Sequence, residues 1–267
     1  MPELPEVETI RHDLQSLILG KRIKSIDVRD KNLLKKPRKL VSWRKGIHSK
    51  VKNVVRKGKF LILELANGFK IVIHLRMTGQ LLYGTNEDFS IKLIFADKSF
   101  LSYRDKRRLG EWYLVKDVNE IPLIKEMGID PLSSKFNIYI LKSLLEKKNK
   151  QMYNFLMDQR VIAGIGNIYA NEILYRAKIS PFRKSSELKD REIENLYYAI
   201  LEILNKALKA GGSSIDSYLD AWGTPGKYSY EHLVYGKEGQ FCPFCPSKIH
   251  RVKLGGRSVY YCPGCQQ

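Results

Sequence analysis

Cys242-Pro-Phe-Cys245 and Cys262-Pro-Gly-Cys265 contain all four cysteines of the chain, with sixteen residues between the pairs. Two such pairs suit a tetrahedral zinc site of four thiolates, each pair set on a tight turn. A redox dithiol needs only one pair. Disulfides are not expected either, because the chain has no signal-peptide pattern and no bilayer-length apolar run, which makes the cytoplasm the default location. Four protein ligands leave the metal no open position, so the expectation is one structural Zn2+ ion. Between the pairs, Val252 to Tyr261 forms a β-hairpin pattern around Gly255-Gly256, and the whole makes a zinc ribbon. Arg251, Lys253 and Arg257 give that ribbon a basic edge.

With 267 residues, 43% of them hydrophobic, the chain can bury a real core and divides most naturally into two domains. Its 47 Lys and Arg outweigh 28 Asp and Glu, a net charge of +19. Such an excess points to a polyanionic partner, most often nucleic acid, although a merely basic or ribosome-associated protein carries the same charge. The charge is also localised. From 31 to 63 there is no acidic residue, while Lys31, Lys35, Lys36, Arg38, Lys39, Arg44, Lys57 and Lys59 all fall there. Interleaved with Leu, Val and Ile, that run fits a folded face turned to phosphate. No basic amphipathic helix of the membrane type accompanies it, so an anionic membrane ranks second.

The opening MPELPEVET is stiffened by Pro2 and Pro5. Pro5 fits the first position of a helix, with Glu6 and Glu8 placed favourably against its dipole. Val7, Ile10, Leu14, Leu17 and Ile18 recur at helical spacing, and Gly20 is a natural stop. Met1 before a small residue is readily removed, which would leave Pro2 as a free secondary amine. Short β-like runs follow. Phe60 to Leu65 and Phe69 to Leu75 flank Asn67-Gly68, a strong hairpin signal, and Ile91 to Phe95 pairs with Phe100 to Tyr103. Hairpins without intervening helices predict an antiparallel sandwich. Gly128 to Leu132 is the expected linker. Helices are predicted over Ile138 to Lys147, Gln151 to Asp158 and Glu187 to Ala210, the last stopped by Gly211-Gly212. Another is expected from an Asn167 N-cap to about Lys178, behind Gly164 and Gly166, whose exposed N–H groups would suit phosphate. Ser213 to Tyr230 shows no period and is a long loop, of the kind that is commonly functional or mobile.

Together, MPELPEVET, GIGNIYANE (164 to 172) and the terminal CPFC…CPGC closely resemble the formamidopyrimidine-DNA glycosylases, bacterial base-excision repair enzymes. The resemblance runs in order from Met1 to Gln267. It implies an α+β fold of three parts: an N-terminal antiparallel β-sandwich with a leading helix over 1–130, a helix-two-turns-helix domain over 131–230 with a base-capping loop at 213–230, and a zinc finger over 231–267. It implies a monomer acting on double-stranded DNA that contains a damaged base or an abasic site. The implied reaction removes oxidised purines and then cleaves the strand. Pro2 matches the nucleophile, Glu3 the general acid and Glu6 a carboxylate supporting the sugar chemistry. Lys59, in KGKFLILEL, joins this set as a phosphate contact. His74, Asn167, Tyr235 and Arg257 match further phosphate contacts, although His74 by itself fits a satisfied buried histidine. Met77 and Arg107 match residues that fill the gap left by a flipped base, and Met77 in isolation would be assigned to the core.

Three positions depart from the family pattern. Leu109 stands where the third wedge residue is normally Phe, Tyr153 where a lysine is common, and Trp222 falls unexpectedly within the capping loop. These leave the catalytic end intact but touch lesion probing. Two alternatives therefore stand beside the glycosylase and lyase: a protein that binds lesions or abasic sites without efficient excision, and a glycosylase for oxidised pyrimidines.

Overall fold

The computed structural model describes residues 1–85 and 88–267 of the chain, which divide into two units. Met1–Glu126 and Leu208–Ser229 form the first, Met127–Ala207 and Tyr230–Gln267 the second.

In the first unit, helix α1 (Leu4–Ile18) places Pro5 in its first turn and buries Val7, Ile10, Leu14 and Ile18. The stripe matches the helical spacing in the sequence, and the Glu6 carboxylate accepts the Glu3 N–H at 2.7 Å, which closes the helix start. Nine strands follow: β1 (Ile23–Val28), β2 (Leu34–Lys36), β3 (Val51–Lys57), β4 (Phe60–Leu65), β5 (Lys70–His74), β6 (Gly79–Tyr83), β7 (Ile91–Phe95), β8 (Phe100–Asp105) and β9 (Glu111–Val115). They build a four-stranded sheet of order β1-β7-β8-β6 and a five-stranded sheet of order β2-β9-β5-β4-β3. One core serves α1 and both sheets, with Ile26, Leu93 and Leu101 from the first sheet and Leu61, Ile71 and Ile73 from the second. The expected sandwich is present. Its one departure from antiparallel pairing is β2, which runs parallel to β9.

The Asn67-Gly68 turn joins β4 to β5 as the sequence predicts, with Gly68 at φ +85°. Other elements lay below the sequence signal. Strands β1 and β3 carry half-buried polar residues that blur a period of two, and helix α2 (Leu40–Ile47) lies inside the basic run. Trp43 of α2 is fully buried, 6.5 Å ring to ring from Trp112 of β9. The short helix α3 (Pro122–Lys125) ends this part of the chain.

The second unit holds α4 (Ile138–Lys147), α5 (Met152–Met157), α6 (Asn167–Ala177) and most of α7 (Asp190–Lys209), with the hairpin of β10 (His250–Leu254) and β11 (Arg257–Tyr261). Gly255 and Gly256, both at positive φ, turn that hairpin as expected. Among the described residues, no helix is long and apolar enough to cross a membrane.

Three expectations about organisation differ from the structure. The 128–132 linker is docked: Gly128 N–H donates to the Gln159 carbonyl at 2.9 Å, and Ala163 N–H to Ile129 at 2.8 Å. A Cβ at Gly128 would come 2.3 Å from the Val161 carbonyl oxygen, so only glycine allows that approach. The 213–229 segment packs in the first unit rather than with the helices, because Tyr218 and Ala221 enter the sandwich core. The hairpin and its cysteines share a unit with the helices through a small core of Tyr175, Val234, Cys242, Ile249 and Cys262.

Candidate functional site

In the first unit the catalytic candidates sit at the start of α1. Pro2 is buried, and Glu3 and Glu6 are only 2% and 1% exposed. The two oxygens of Glu6 face different partners: one takes the Glu3 N–H, the other the Ser213 N–H at 2.8 Å. Tyr218 adds a hydroxyl bond of 3.3 Å to the Glu6 carbonyl. Glycine is required beside this carboxylate, since Gly212 has φ +85° and a Cβ there would lie 2.9 Å from Glu6 Oε1. The segment after α7 thus buttresses the start of α1, a role for Ser213 and Gly212 that sequence reasoning missed.

Lys59 lies in the two-residue turn between β3 and β4, with Gly58 at φ +56°. Arg56 anchors that turn, donating to Glu8 of α1 at 2.8 Å and to the Gly58 carbonyl at 3.1 Å. Phe60, the next residue, is register partner to His74, so Lys59 and His74 lie at the same end of the sheet. Burial lowers the His74 pKa to about 3, and Arg76 and Lys59 add to the shift. The imidazole is therefore neutral at ordinary pH. Its Nδ1 accepts the Arg76 N–H at 3.0 Å, which places the proton on Nε2 as a hydrogen-bond donor.

Met77 follows on the β5–β6 turn, 40% exposed, so it is not a core residue. Arg107 and Leu109 lie on the β8–β9 turn and are also exposed. Buried Asp105 ties the two turns together. Its Oδ1 accepts the Thr78 hydroxyl at 2.5 Å and the Arg107 N–H at 3.2 Å. Its Oδ2 accepts the N–H groups of Leu109 and Gly110 at 2.9 and 2.8 Å and the Tyr103 hydroxyl at 3.2 Å. Sequence reasoning passed over Asp105, although an aspartate just before a turn is a usual organiser of the N–H groups that follow. Asp105→Ala leaves several of these donors without a partner. The expected loss is about 3 kcal/mol of unfolding free energy, measurable by urea titration, whereas Asp105→Asn loses less.

In the second unit Gly166, with extended backbone, is the N-cap of α6, and Asn167 is its first helical residue. The expected N-cap at Asn167 is thus corrected by one position. Its side chain is engaged elsewhere: Oδ1 accepts the Tyr153 hydroxyl at 2.7 Å and Asn171 Nδ2 at 3.1 Å. Tyr153 is fully buried. One turn along α6, buried Glu172 accepts three backbone N–H groups, from Leu233, Val234 and Tyr235, at 2.8, 3.0 and 2.8 Å. Burial raises the pKa of this carboxyl while the three donors oppose the rise. Glu172 therefore fixes the loop that carries Tyr235, whose ring also lies 5.2 Å from that of Tyr260. The sequence held a signal for it. Ile168, Glu172 and Tyr175 share one helical face, and a glutamate on an apolar face must find donors. Arg257 is exposed at the start of β11.

The four cysteine Sγ atoms lie within 4.8 Å of one another, with 3.7 Å between Cys242 and Cys265 and 3.3 Å between Cys245 and Cys262. Thiolates about 2.3 Å from a tetrahedral zinc ion stand about 3.8 Å apart, so the cluster has the spacing and the soft donors of a metal site. The Phe244 N–H points to Cys242 Sγ at 3.5 Å, and the Tyr175 hydroxyl lies 3.0 Å from the same sulfur.

Residues 1–112 match the formamidopyrimidine-DNA glycosylase N-terminal domain, and 127–218 match the H2TH domain of the same enzymes. The chain is 38% identical over its full length to the formamidopyrimidine-DNA glycosylase of Pelotomaculum thermopropionicum, covering 99% of it. It is 37% identical, with the same coverage, to that of Bacillus subtilis. Among solved structures, a Lactococcus lactis FPG mutant in complex with a Fapy-dG containing DNA aligns over 100% of both chains, with TM-score 0.91 and 35% identity. The MutM (FPG) protein from Thermus thermophilus aligns with TM-score 0.90 and 36% identity, over 99% of this chain and 98% of that one. With both domains matched in order and the fold shared from end to end, the chain belongs to the formamidopyrimidine-DNA glycosylase family.

Proposed function

We propose that this protein is a base-excision repair glycosylase that removes oxidised purines, 8-oxoguanine and formamidopyrimidines, from duplex DNA and then cleaves the strand at the resulting abasic site. The observation that carries this reading is the grouping of Pro2 with two buried carboxylates, Glu3 and Glu6, at the start of α1. Burial in a site closed to water strengthens the electrostatic work of each group.

Once Met1 is removed, the Pro2 nitrogen is a secondary α-amine with a pKa of about 8, so an appreciable neutral fraction exists near pH 7. It attacks C1′ of the damaged nucleotide as the bond from C1′ to the base breaks, and the proton on the Pro2 nitrogen passes to the departing base. Glu3 gives its proton to the ring oxygen O4′ as the sugar opens. The resulting iminium nitrogen carries a fixed positive charge and draws electrons from C2′ as a C2′ proton leaves, which expels the 3′ phosphate. Loss of a C4′ proton from the conjugated product then expels the 5′ phosphate. Glu6 holds the backbone at Glu3 and Ser213 in register with this centre. Lys59, neutral His74 through Nε2–H, Asn167, Tyr235 and Arg257 bind phosphates.

Met77, Arg107 and Leu109 occupy the gap left by the flipped base, on turns held together by Asp105. Leucine at the third position forgoes aromatic stacking, a loss of about 1–3 kcal/mol by analogy with single-strand contacts. The four thiolates would hold one structural zinc ion, which fixes the finger and offers no open position for chemistry.

Borohydride reduction on an abasic duplex tests the reading. Protein whose mass shows Met1 removed is expected to give a covalent adduct at Pro2. Tight binding without an adduct would instead favour a lesion-binding protein.

A further inference from the structure

The N–H donors that Asn167 can offer are set by a chain of hydrogen bonds within the second unit. The Tyr260 backbone N–H, which can only donate, meets Asn171 Oδ1 at 2.6 Å. That contact fixes the orientation of the Asn171 amide, so its Nδ2 is the end that turns to Asn167. There it donates to the Asn167 carbonyl at 2.6 Å and to Asn167 Oδ1 at 3.1 Å. The Tyr153 hydroxyl donates to the same Oδ1 at 2.7 Å. With Oδ1 holding two donors, the opposite orientation of the Asn167 amide would set its NH2 against the NH2 of Asn171, and it is excluded. Nδ2 of Asn167 is left with both N–H groups for an external acceptor, at the first helical residue of α6, where backbone N–H groups and the helix dipole also favour an anion.

We propose that Tyr153 and Asn171 are positioning residues that lock the Asn167 amide with its NH2 group presented to a DNA phosphate. Tyr153 is fully buried, so its part in phosphate binding runs through Asn167. Asn171 also couples that amide to β11 of the hairpin, so the hairpin and the start of α6 present their donors in one fixed arrangement. The inference rests on Asn167 being a phosphate contact.

A double-mutant cycle tests it, using fluorescence anisotropy on a duplex carrying a tetrahydrofuran abasic analogue. Tyr153→Phe keeps the buried ring and removes only the hydroxyl. It is expected to weaken binding about three- to tenfold, the range for one buried hydrogen bond. In an Asn167→Ala background the same substitution is expected to change binding less than about 1.5-fold, because the amide it positions is gone. Unchanged binding by Tyr153→Phe alone, or an equal loss in both backgrounds, would overturn the proposal. Parental affinity for Asn167→Ala alone would remove the phosphate contact itself, and the positioning role with it.

Discussion

A Pro2→Gly variant cleaves an abasic duplex at least on the order of 100-fold more slowly than the parent chain, the scale of losing one well-placed catalytic group. Its affinity for the same duplex stays within about threefold. Glycine keeps a free α-amine once Met1 is removed, so any loss does not come from deleting the nitrogen. What changes is its substitution. A primary amine gives an imine that can lose a proton and become neutral, whereas the secondary amine of Pro2 gives an iminium that cannot, so the electron sink persists through elimination. The proline ring is also buried, and its closure prevents rotation about the N–Cα bond, which limits the orientations of the nitrogen lone pair at the moment of attack. Strand cleavage, borohydride trapping and anisotropy on one preparation separate the outcomes. Cleavage at the parental rate would show that a primary α-amine serves as well as the proline nitrogen, and the persistent iminium would play no part. Binding that falls in parallel with cleavage would make Pro2 a structural residue.

Removal of the metal by a strong chelator is expected to weaken DNA binding at least about 100-fold, and added zinc restores it. Cys262→Ser gives the same loss without rescue. Structural zinc supplies about 10–16 kcal/mol to the folding of isolated zinc-finger peptides, and little else here can replace it. The core beneath the hairpin comprises Tyr175, Val234, Cys242, Ile249 and Cys262, two of which belong to the four-cysteine cluster itself. Without the ion, four thiols held within 4.8 Å lose the charge that gathers them, and the hairpin that bears Arg257 loses its base. The β-sandwich draws on a separate and much larger core, so its thermal transition is expected to stay put. DNA binding that survives verified metal loss would show that the hairpin holds without it.

Particular residues show how far the sequence reached. The helix at Leu4–Ile18, the Asn67-Gly68 turn and the Gly255-Gly256 hairpin were legible because each depends on local chemistry: apolar spacing, or residues that accept positive φ. The four thiols were legible because a soft metal asks for little more than two close pairs. Strands β1 and β3 were not, since their polar residues are half-buried against neighbours distant in sequence. Nor was the place of 213–229, which follows from where Tyr218 and Ala221 find a core.

At the candidate site, the residue types came from the sequence and their working state from the fold. Pro2, an amine once Met1 is removed, the carboxylates Glu3 and Glu6, the run of lysines and the cysteine pairs are fixed by order along the chain, because their chemistry resides in single side chains or in neighbours a few residues apart. Tertiary structure alone decided that Glu6 is shared between Glu3 and Ser213, that His74 is neutral with its proton on Nε2, and that Asp105 joins two turns. It alone turned Tyr153 from a departure at a lysine position into a buried partner of Asn167. Burial and hydrogen bonding between residues far apart in sequence set charge state and orientation, and no local pattern encodes either.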